Sequence, residues 1–171
     1  MGPRSRSARF PIQHPQRGRS DTEHEDKCTR CGTSCHLAVP IGSRAIVVPG
    51  LHCKFLRAET DGRFSCTVYS ERFERAPWCH HADAAAPKGF LSLDCAYARE
   101  LGMKKGKERL SEAELEPIWP ELLQRVRSWG VPDHIDREAL LREVSRREGG
   151  AFELVPWPGD PGRWMLRSVD R

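Results

Sequence analysis

The chain is organised around one stretch, Cys28-Thr29-Arg30-Cys31-Gly32-Thr33-Ser34-Cys35, in which three cysteines fall within eight residues. Thiolates at this spacing can grip one zinc or iron centre, because both metals accept soft sulfur ligands. Gly32 can adopt the positive φ that folds the backbone over such a centre. The stretch therefore predicts a metal-binding knuckle at the start of a cysteine-rich module.

The other four cysteines, Cys53, Cys66, Cys79 and Cys95, all follow this knuckle in the sequence. A tetrahedral zinc site takes four protein ligands and a [4Fe–4S] cluster takes four thiolates, so a later thiol must close the knuckle. Spacing alone does not choose between zinc and an iron–sulfur cluster. The candidate metal ligands are Cys28, Cys31, Cys35, Cys53, Cys66, Cys79, Cys95 and His80.

Composition bounds the class of protein. With 171 residues, 38% of them apolar and 30% charged, the chain suits one domain with flanking segments. No apolar run approaches the roughly 20 residues of a membrane span, and the first residues lack the apolar core of a signal peptide. We therefore expect a cytoplasmic protein in which clustered cysteines bind metal rather than form disulfides.

Charge gives little support for a nucleic-acid partner. The net charge is only +4, and the arginines are spread along the chain instead of being concentrated on one element. The sequence predicts a metal ion and a protein as partners, with no membrane and no nucleic acid as the first expectation.

The predicted fold class is α+β: a small metal-stabilised cysteine-rich module followed by a helix pair and a C-terminal β-hairpin. Residues 1–26 form an Arg-rich leader that is typical of disorder, with a targeting segment as the alternative. Residues 27–101 form the cysteine-cluster module and residues 102–110 a basic linker. Residues 111–171 form a helical segment whose terminal hairpin packs on the module.

Within the module, two short β segments are predicted. The β-branched run Ala45–Val48 favours a buried strand that Pro49-Gly50 would stop. Asp61-Gly62 between alternating segments indicates a hairpin, and we expect that hairpin to bring Cys53 and Cys66 face to face.

The C-terminal segment carries clear helix signals. Ser111 and Glu114 have the spacing of a capping box, and apolar residues recur at helical spacing from about Pro117 to Trp129. A second helix is predicted from its N-cap Asp136 to Glu148, followed by a hairpin formed by residues 152–157 and 163–169. This order is that of part of a winged helix, which keeps a nucleic-acid regulator as an alternative.

The cysteine series carries a resemblance to a known family. Cys28-x2-Cys31-Gly32-x2-Cys35, then Cys53 with Phe55-Leu56, then Cys66-Thr67-Val68-Tyr69 with Arg72 and Cys79, resembles the zinc- or iron-chelating cysteine-cluster family. The opening motif of that family is written CxxCxxCC, and the family includes a flagellin lysine N-methylase. The resemblance implies metal binding and, through the methylase, an iron–sulfur cluster.

Two departures from that family pattern concern the ligands. Ser34-Cys35 stands where the family has two cysteines, and the residues from Arg72 to Cys79 replace its usual Arg-Pro before the later cysteine. His36, His80 and His81 lie beside cysteines and are accepted ligands that could make up the missing thiolate.

Three function classes follow. The first is an intracellular metal-binding accessory or interaction protein that is not an enzyme, since no nucleophile–base pair or cofactor loop is evident. The second is an iron–sulfur-dependent enzyme acting on protein. The third is a metal-stabilised nucleic-acid-binding regulator that uses the winged-helix-like segment.

Overall fold

The computed structural model describes residues 27–169, so the predicted leader, residues 1–26, lies outside the described part of the chain. The described part is mixed α+β, with short helices and three small sheets. Within residues 27–169 no helix has both the length and the apolar character needed to cross a bilayer.

The cysteine-bearing half is built from short elements. The pair β1–β2 is antiparallel, β5 joins β2 in parallel, and β3–β4 forms a separate two-stranded hairpin. In chain order the elements are a 3-10 turn Thr33–Cys35, β1 His36–Ile41, β2 Arg44–His52, β3 Leu56–Ala58, β4 Phe64–Cys66, a 3-10 turn Tyr69–Glu71, α1 Arg72–Arg75, α2 Ala82–Ala85, α3 Ala96–Glu100 and β5 Lys107–Glu108.

The C-terminal half holds the longer helices and the third sheet. Its strands follow the order β6-β8-β7 and are antiparallel. In chain order the elements are α4 Glu112–Leu115, a 3-10 turn Glu116–Ile118, α5 Trp119–Trp129, β6 Val131–Pro132, α6 Arg137–Glu148, β7 Phe152–Trp157 and β8 Asp160–Ser168.

Both predicted helices form: α5 covers Trp119–Trp129, after a 3-10 turn at Glu116–Ile118, and α6 covers Arg137–Glu148. The Ser111 and Glu114 capping box is present and opens α4. Asp136 caps α6, since its carboxylate accepts a hydrogen bond of 3.0 Å from the backbone N–H of Ala139. Gly149 ends α6 at φ 72°, the left-handed conformation common after helices.

The prediction that Pro49-Gly50 ends the strand is wrong, because β2 continues to His52. Gly50 instead allows close packing between the strand and a helix. Gly50 has a φ of +76°, and a Cβ there would lie 2.8 Å from Cβ of Glu143 and 2.9 Å from the carbonyl oxygen of Ala139. The absent side chain therefore lets α6 lie directly on β2.

One main core joins the two halves. Its fourteen buried residues come from β1 and β2 on one side and from residues 115–166 on the other. Ile46, Leu122, Leu140 and Val144 are completely buried there. The segment predicted as a basic linker also joins the fold, because its Lys107–Glu108 forms β5 beside β2 and its Leu110 packs against the core.

The C-terminal order α5, β6, α6, β7, β8 extends the predicted helix pair and hairpin by one strand. Val131 at the start of β6 pairs with Trp164 of β8, which places β6 at the edge of the hairpin sheet. The helix α6 is not free on the surface of this unit, since its Leu140 and Val144 are buried in the main core with residues of β2.

Candidate metal centre

The knuckle is held against the β3–β4 hairpin by backbone contacts. Gly32 has a φ of +70°, and a Cβ there would lie 2.7 Å from Cγ of Phe64. Arg30 makes two hydrogen bonds to Phe64, the first residue of β4. The carbonyl of Arg30 accepts from the N–H of Phe64 at 2.9 Å, and Nε of Arg30 donates to the carbonyl of Phe64 at 3.0 Å. Only glycine fits position 32, so the turn carrying Cys35 lies close to β4.

Cys35 and Cys53 flank the open end of the β1–β2 pair. His36 pairs with His52 in the sheet, and the N–H of Cys53 donates to the carbonyl of Cys35 at 2.8 Å. The antiparallel pairing of two strands therefore brings together two cysteines that are distant in sequence.

Cys66 ends β4, and its partner across the hairpin is Leu56. The prediction that Cys53 and Cys66 lie face to face is therefore wrong in register. Cys53 precedes the hairpin because it closes a tight turn, in which the N–H of Leu56 donates to the carbonyl of Cys53 at 2.9 Å. Cys79 follows α1, with its N–H bound to the carbonyl of Ala76 at 2.8 Å.

The electrostatics place these four thiols in one neighbourhood. Burial raises the pKa of the Cys35 thiol to about 11; the hydrogen bond with Ser34 acts against that shift, while Cys53, Cys79 and Cys66 add to it. The pKa of the Cys79 thiol is also raised, first by burial, with Cys66 and Cys53 adding to the shift against the opposing effect of Arg72. We call Cys35, Cys53, Cys66 and Cys79 the thiol cluster.

All four thiols of the cluster are free and partly buried. Because the pKa values of Cys35 and Cys79 are raised, these two thiols are protonated at neutral pH when no metal is bound. A metal that binds there must displace their protons.

The other predicted ligands occupy different surroundings. Cys28 and Cys31 are exposed, and Cys95 packs against the small apolar cluster formed by Ala85, Ala86, Leu91 and Ala98. The ring of His80 lies 5.6 Å from that of Phe90, and its Nε2 is 3.4 Å from Nζ of Lys88. Burial and then Lys88 lower the pKa of His80, which keeps its ring neutral.

The two remaining histidines beside cysteines are engaged elsewhere. His36 is buried, and its Nδ1 donates to the carbonyl of Gly32 at 2.9 Å. Burial lowers the pKa of His36 to about 4, so its ring is neutral at physiological pH. The ring of His81 lies 4.0 Å from that of Phe73.

Sequence reasoning missed the burial of Lys107, which it placed in a basic linker. Lys107 is only 6% exposed, and its ammonium group donates to the carbonyls of His36 and Ser34 on either side of Cys35. A lone lysine in a basic stretch carries no local signal of burial, so only the pairing of β5 with β2 reveals this position.

Across residues 27–169 no three or more His, Cys, Asp or Glu side chains are arranged so that they could hold a metal ion as they stand. The donor set nevertheless fits a thiophilic metal in kind and in number, because four free thiols from four chain segments share one region. Binding would have to draw the thiols of the cluster closer together.

The cationic residues of α6 do not form an open basic surface. Arg142 pairs with Glu138 at 3.7 Å, and Arg146 pairs with Glu143 at 2.7 Å and with Glu112 at 3.6 Å. Arg147 donates to both oxygens of Glu112 at 2.7 and 2.9 Å. Phosphate binding by this helix would have to compete with these carboxylates.

Comparison with known proteins adds no relative to these observations. No family model matches the chain, and no curated protein or solved structure shows significant similarity to it. The functional argument therefore rests on the residues and geometry of the chain itself.

Proposed function

We propose that this protein is a metal-binding accessory or interaction protein whose thiol cluster, Cys35, Cys53, Cys66 and Cys79, holds zinc or an iron–sulfur cluster. The observation that carries the proposal is the proximity of Cys35 and Cys53, joined by a backbone hydrogen bond, together with the effects of Cys53, Cys66 and Cys79 on the pKa of Cys35. Four thiolates are the full ligand set of either centre.

The distribution of apolar residues gives independent support. The main core takes none of its fourteen buried residues from residues 53–106. That segment has its own cluster of four buried residues, of which three are alanines, and buries Leu56, Val68 and Ala76 outside that cluster. A segment with so small an apolar core is of the kind that metal ligation stabilises in small domains.

The proposed role is structural because of the ligand count. A zinc ion with four protein ligands has no open position for substrate, and its binding free energy contributes to folding. The centre would tie the knuckle, the start of the hairpin, its second strand and the residue after α1 into one unit. A protein partner would then recognise the surface that this unit presents.

The test is metal analysis of the protein purified without oxygen and in the presence of a phosphine reductant. We expect about one equivalent of zinc in a colourless protein, or iron with sulfide in a brown one. Protein that contains neither metal and binds neither on reconstitution would rule out the proposal.

Matched cysteine variants locate the site. Cys66→Ser and Cys79→Ser should each lose most of the bound metal, because serine is a poor ligand for thiophilic metals. Cys28→Ser, at an exposed cysteine outside the thiol cluster, should retain the wild-type metal content. Loss of metal in Cys28→Ser with retention in Cys66→Ser would move the site to the knuckle and contradict the assignment.

A further inference from the structure

Lys107 is a buried cation beside the proposed metal site. Its Nζ donates to the carbonyl oxygens of His36 at 2.6 Å, Ser34 at 3.0 Å and Thr33 at 3.4 Å. These carbonyls belong to the turn that carries Cys35 and to the first residue of β1. The strand β5 fixes the lysine there, because Lys107 pairs with Ala45 of β2.

Within residues 27–169 the ammonium group of Lys107 has no carboxylate partner. No ion pair to Lys107 is formed by any acidic residue in the described part of the chain, residues 27–169. The nearest ring is that of Phe90, whose centroid lies 5.7 Å from Nζ. Three carbonyls satisfy the hydrogen bonds of an ammonium group, but they leave its positive charge uncompensated, and burying such a charge is costly.

Burial of the ammonium group makes Lys107 more acidic than an exposed lysine. Burial lowers the pKa of Lys107 to about 8, and an ionised Cys35 would act against this shift. Ionisation of Cys35 would therefore stabilise the ammonium form of the lysine.

Metal binding would supply the missing negative charge. When a divalent metal ion binds four thiols as thiolates, four metal–sulfur bonds form and four protons pass to the solvent. The resulting centre carries a net charge of −2, because four thiolates outweigh one divalent cation. A buried centre of that charge requires nearby positive charge in a medium of low dielectric constant.

We infer that Lys107 is a positioning residue that supplies the buried counter-charge for a metal-thiolate centre at Cys35, Cys53, Cys66 and Cys79. This inference rests on the proposed function. The ammonium group holds both peptide carbonyls that flank Cys35, so it fixes the orientation of that ligand and favours its ionised form. It also makes the centre more stable for any divalent metal that the thiolates accept.

The experiment compares Lys107→Gln with the control Lys105→Gln. The first variant removes the buried charge while an amide N–H remains to donate to the carbonyls; the second makes the same charge change at an exposed lysine two residues away. The zinc affinity of each full-length protein is measured by competition with a chromophoric chelator, and the stability of each metal-free protein by urea unfolding.

We expect Lys107→Gln to weaken zinc binding by about 10- to 100-fold, the usual cost of losing an outer-sphere partner of a metal ligand. Lys105→Gln should keep the wild-type affinity. The inference is overturned if Lys107→Gln binds zinc as tightly as wild type, or if both variants lose affinity equally. It is also overturned if Lys107→Gln shows no cooperative unfolding when metal-free, since the ammonium group would then be needed by the fold itself.

The failure of the proposed function gives a different result. In that case the wild-type protein contains neither zinc nor iron with sulfide and binds neither on reconstitution, and cysteine variants and lysine variants behave alike. Zinc binding by the wild-type protein with unchanged affinity in Lys107→Gln would reject the counter-charge role alone.

Discussion

The two regions of the molecule are stabilised in different ways. Residues 115–166 and the strands β1 and β2 share a main core of fourteen buried residues, which includes Trp119 and several leucines. Residues 53–106, which hold four of the seven cysteines, bury a separate cluster of four residues. Hydrophobic stabilisation scales with buried apolar area, so the second region draws less stability from its apolar core than the first.

Truncation of a core leucine should show this difference most strongly. Leu140 is completely buried in the main core, and Leu140→Ala should lower the free energy of unfolding by about 2–5 kcal/mol. Leu91 belongs to the small cluster, so Leu91→Ala should mainly increase local opening of its own segment. Urea unfolding measures the first effect and amide hydrogen exchange the second.

The comparison of the two leucine variants fails if their effects are alike. Equal loss of global stability in Leu91→Ala and Leu140→Ala, measured in metal-free protein, would mean that the two regions unfold as one cooperative unit. The small cluster would then contribute to the main core in a way that its separation does not suggest.

The close packing of α6 on β2 at Gly50 can be tested by substitution of glycine. Both Gly50→Ala and Gly42→Ala place a side chain at positive φ, which costs roughly 1–2 kcal/mol. Only at Gly50 would the new Cβ meet the backbone of α6, since nothing lies within 4 Å of that position at Gly42. We expect Gly50→Ala to be less stable than Gly42→Ala by about 1–3 kcal/mol in urea unfolding.

This pair of variants also tests how closely α6 packs on β2. Equal stabilities for the two variants would show that the helix moves away from Gly50 at little cost, and the shared core would then be looser than its burial indicates.

Features with local signals could be predicted from the sequence. The starts of α4 and α6 could be predicted from a capping box and from the N-cap Asp136, because capping depends on residues within one turn. The two-residue strands β5 and β6 could not be predicted, since they have no periodicity and are defined by partners far away in sequence. The burial of Lys107 was missed for the same reason.

The candidate metal centre also combines features that have a local sequence signal with features that depend on partners distant in sequence. The sequence included Cys35, Cys53, Cys66 and Cys79 among its candidate ligands, but it did not separate them from Cys28, Cys31 and Cys95. The grouping depends on the β1–β2 pairing and on the turn at Cys53, and neither leaves a local pattern. The hairpin was recognised from Asp61-Gly62, while its register was misjudged because the turn at Cys53 moves the first strand to Leu56.

The smallest expected effect is the contribution of Glu143 to the pH dependence of stability in the C-terminal half. Burial acts to raise the pKa of Glu143, but hydrogen bonds from Arg146 and Arg147 outweigh it, so the pKa is lowered on folding. The stability from this carboxylate is therefore present above the ordinary carboxyl pKa of about 4.3 and is lost as pH falls through the lowered value.

Glu143→Gln should reduce the acid sensitivity of the metal-free protein. Between neutral pH and about pH 3, its urea unfolding free energy should fall less than that of wild type, by no more than about 1 kcal/mol. Glu138→Gln is the matched control, because Glu138 is exposed on the same helix and its ion pair with Arg142 is long, at 3.7 Å. An identical pH dependence in Glu143→Gln and wild type would show that the ion pairs around Arg147 add nothing measurable. The stability of the C-terminal half would then rest on its apolar core alone, which would make its contrast with the cysteine-bearing segment sharper still.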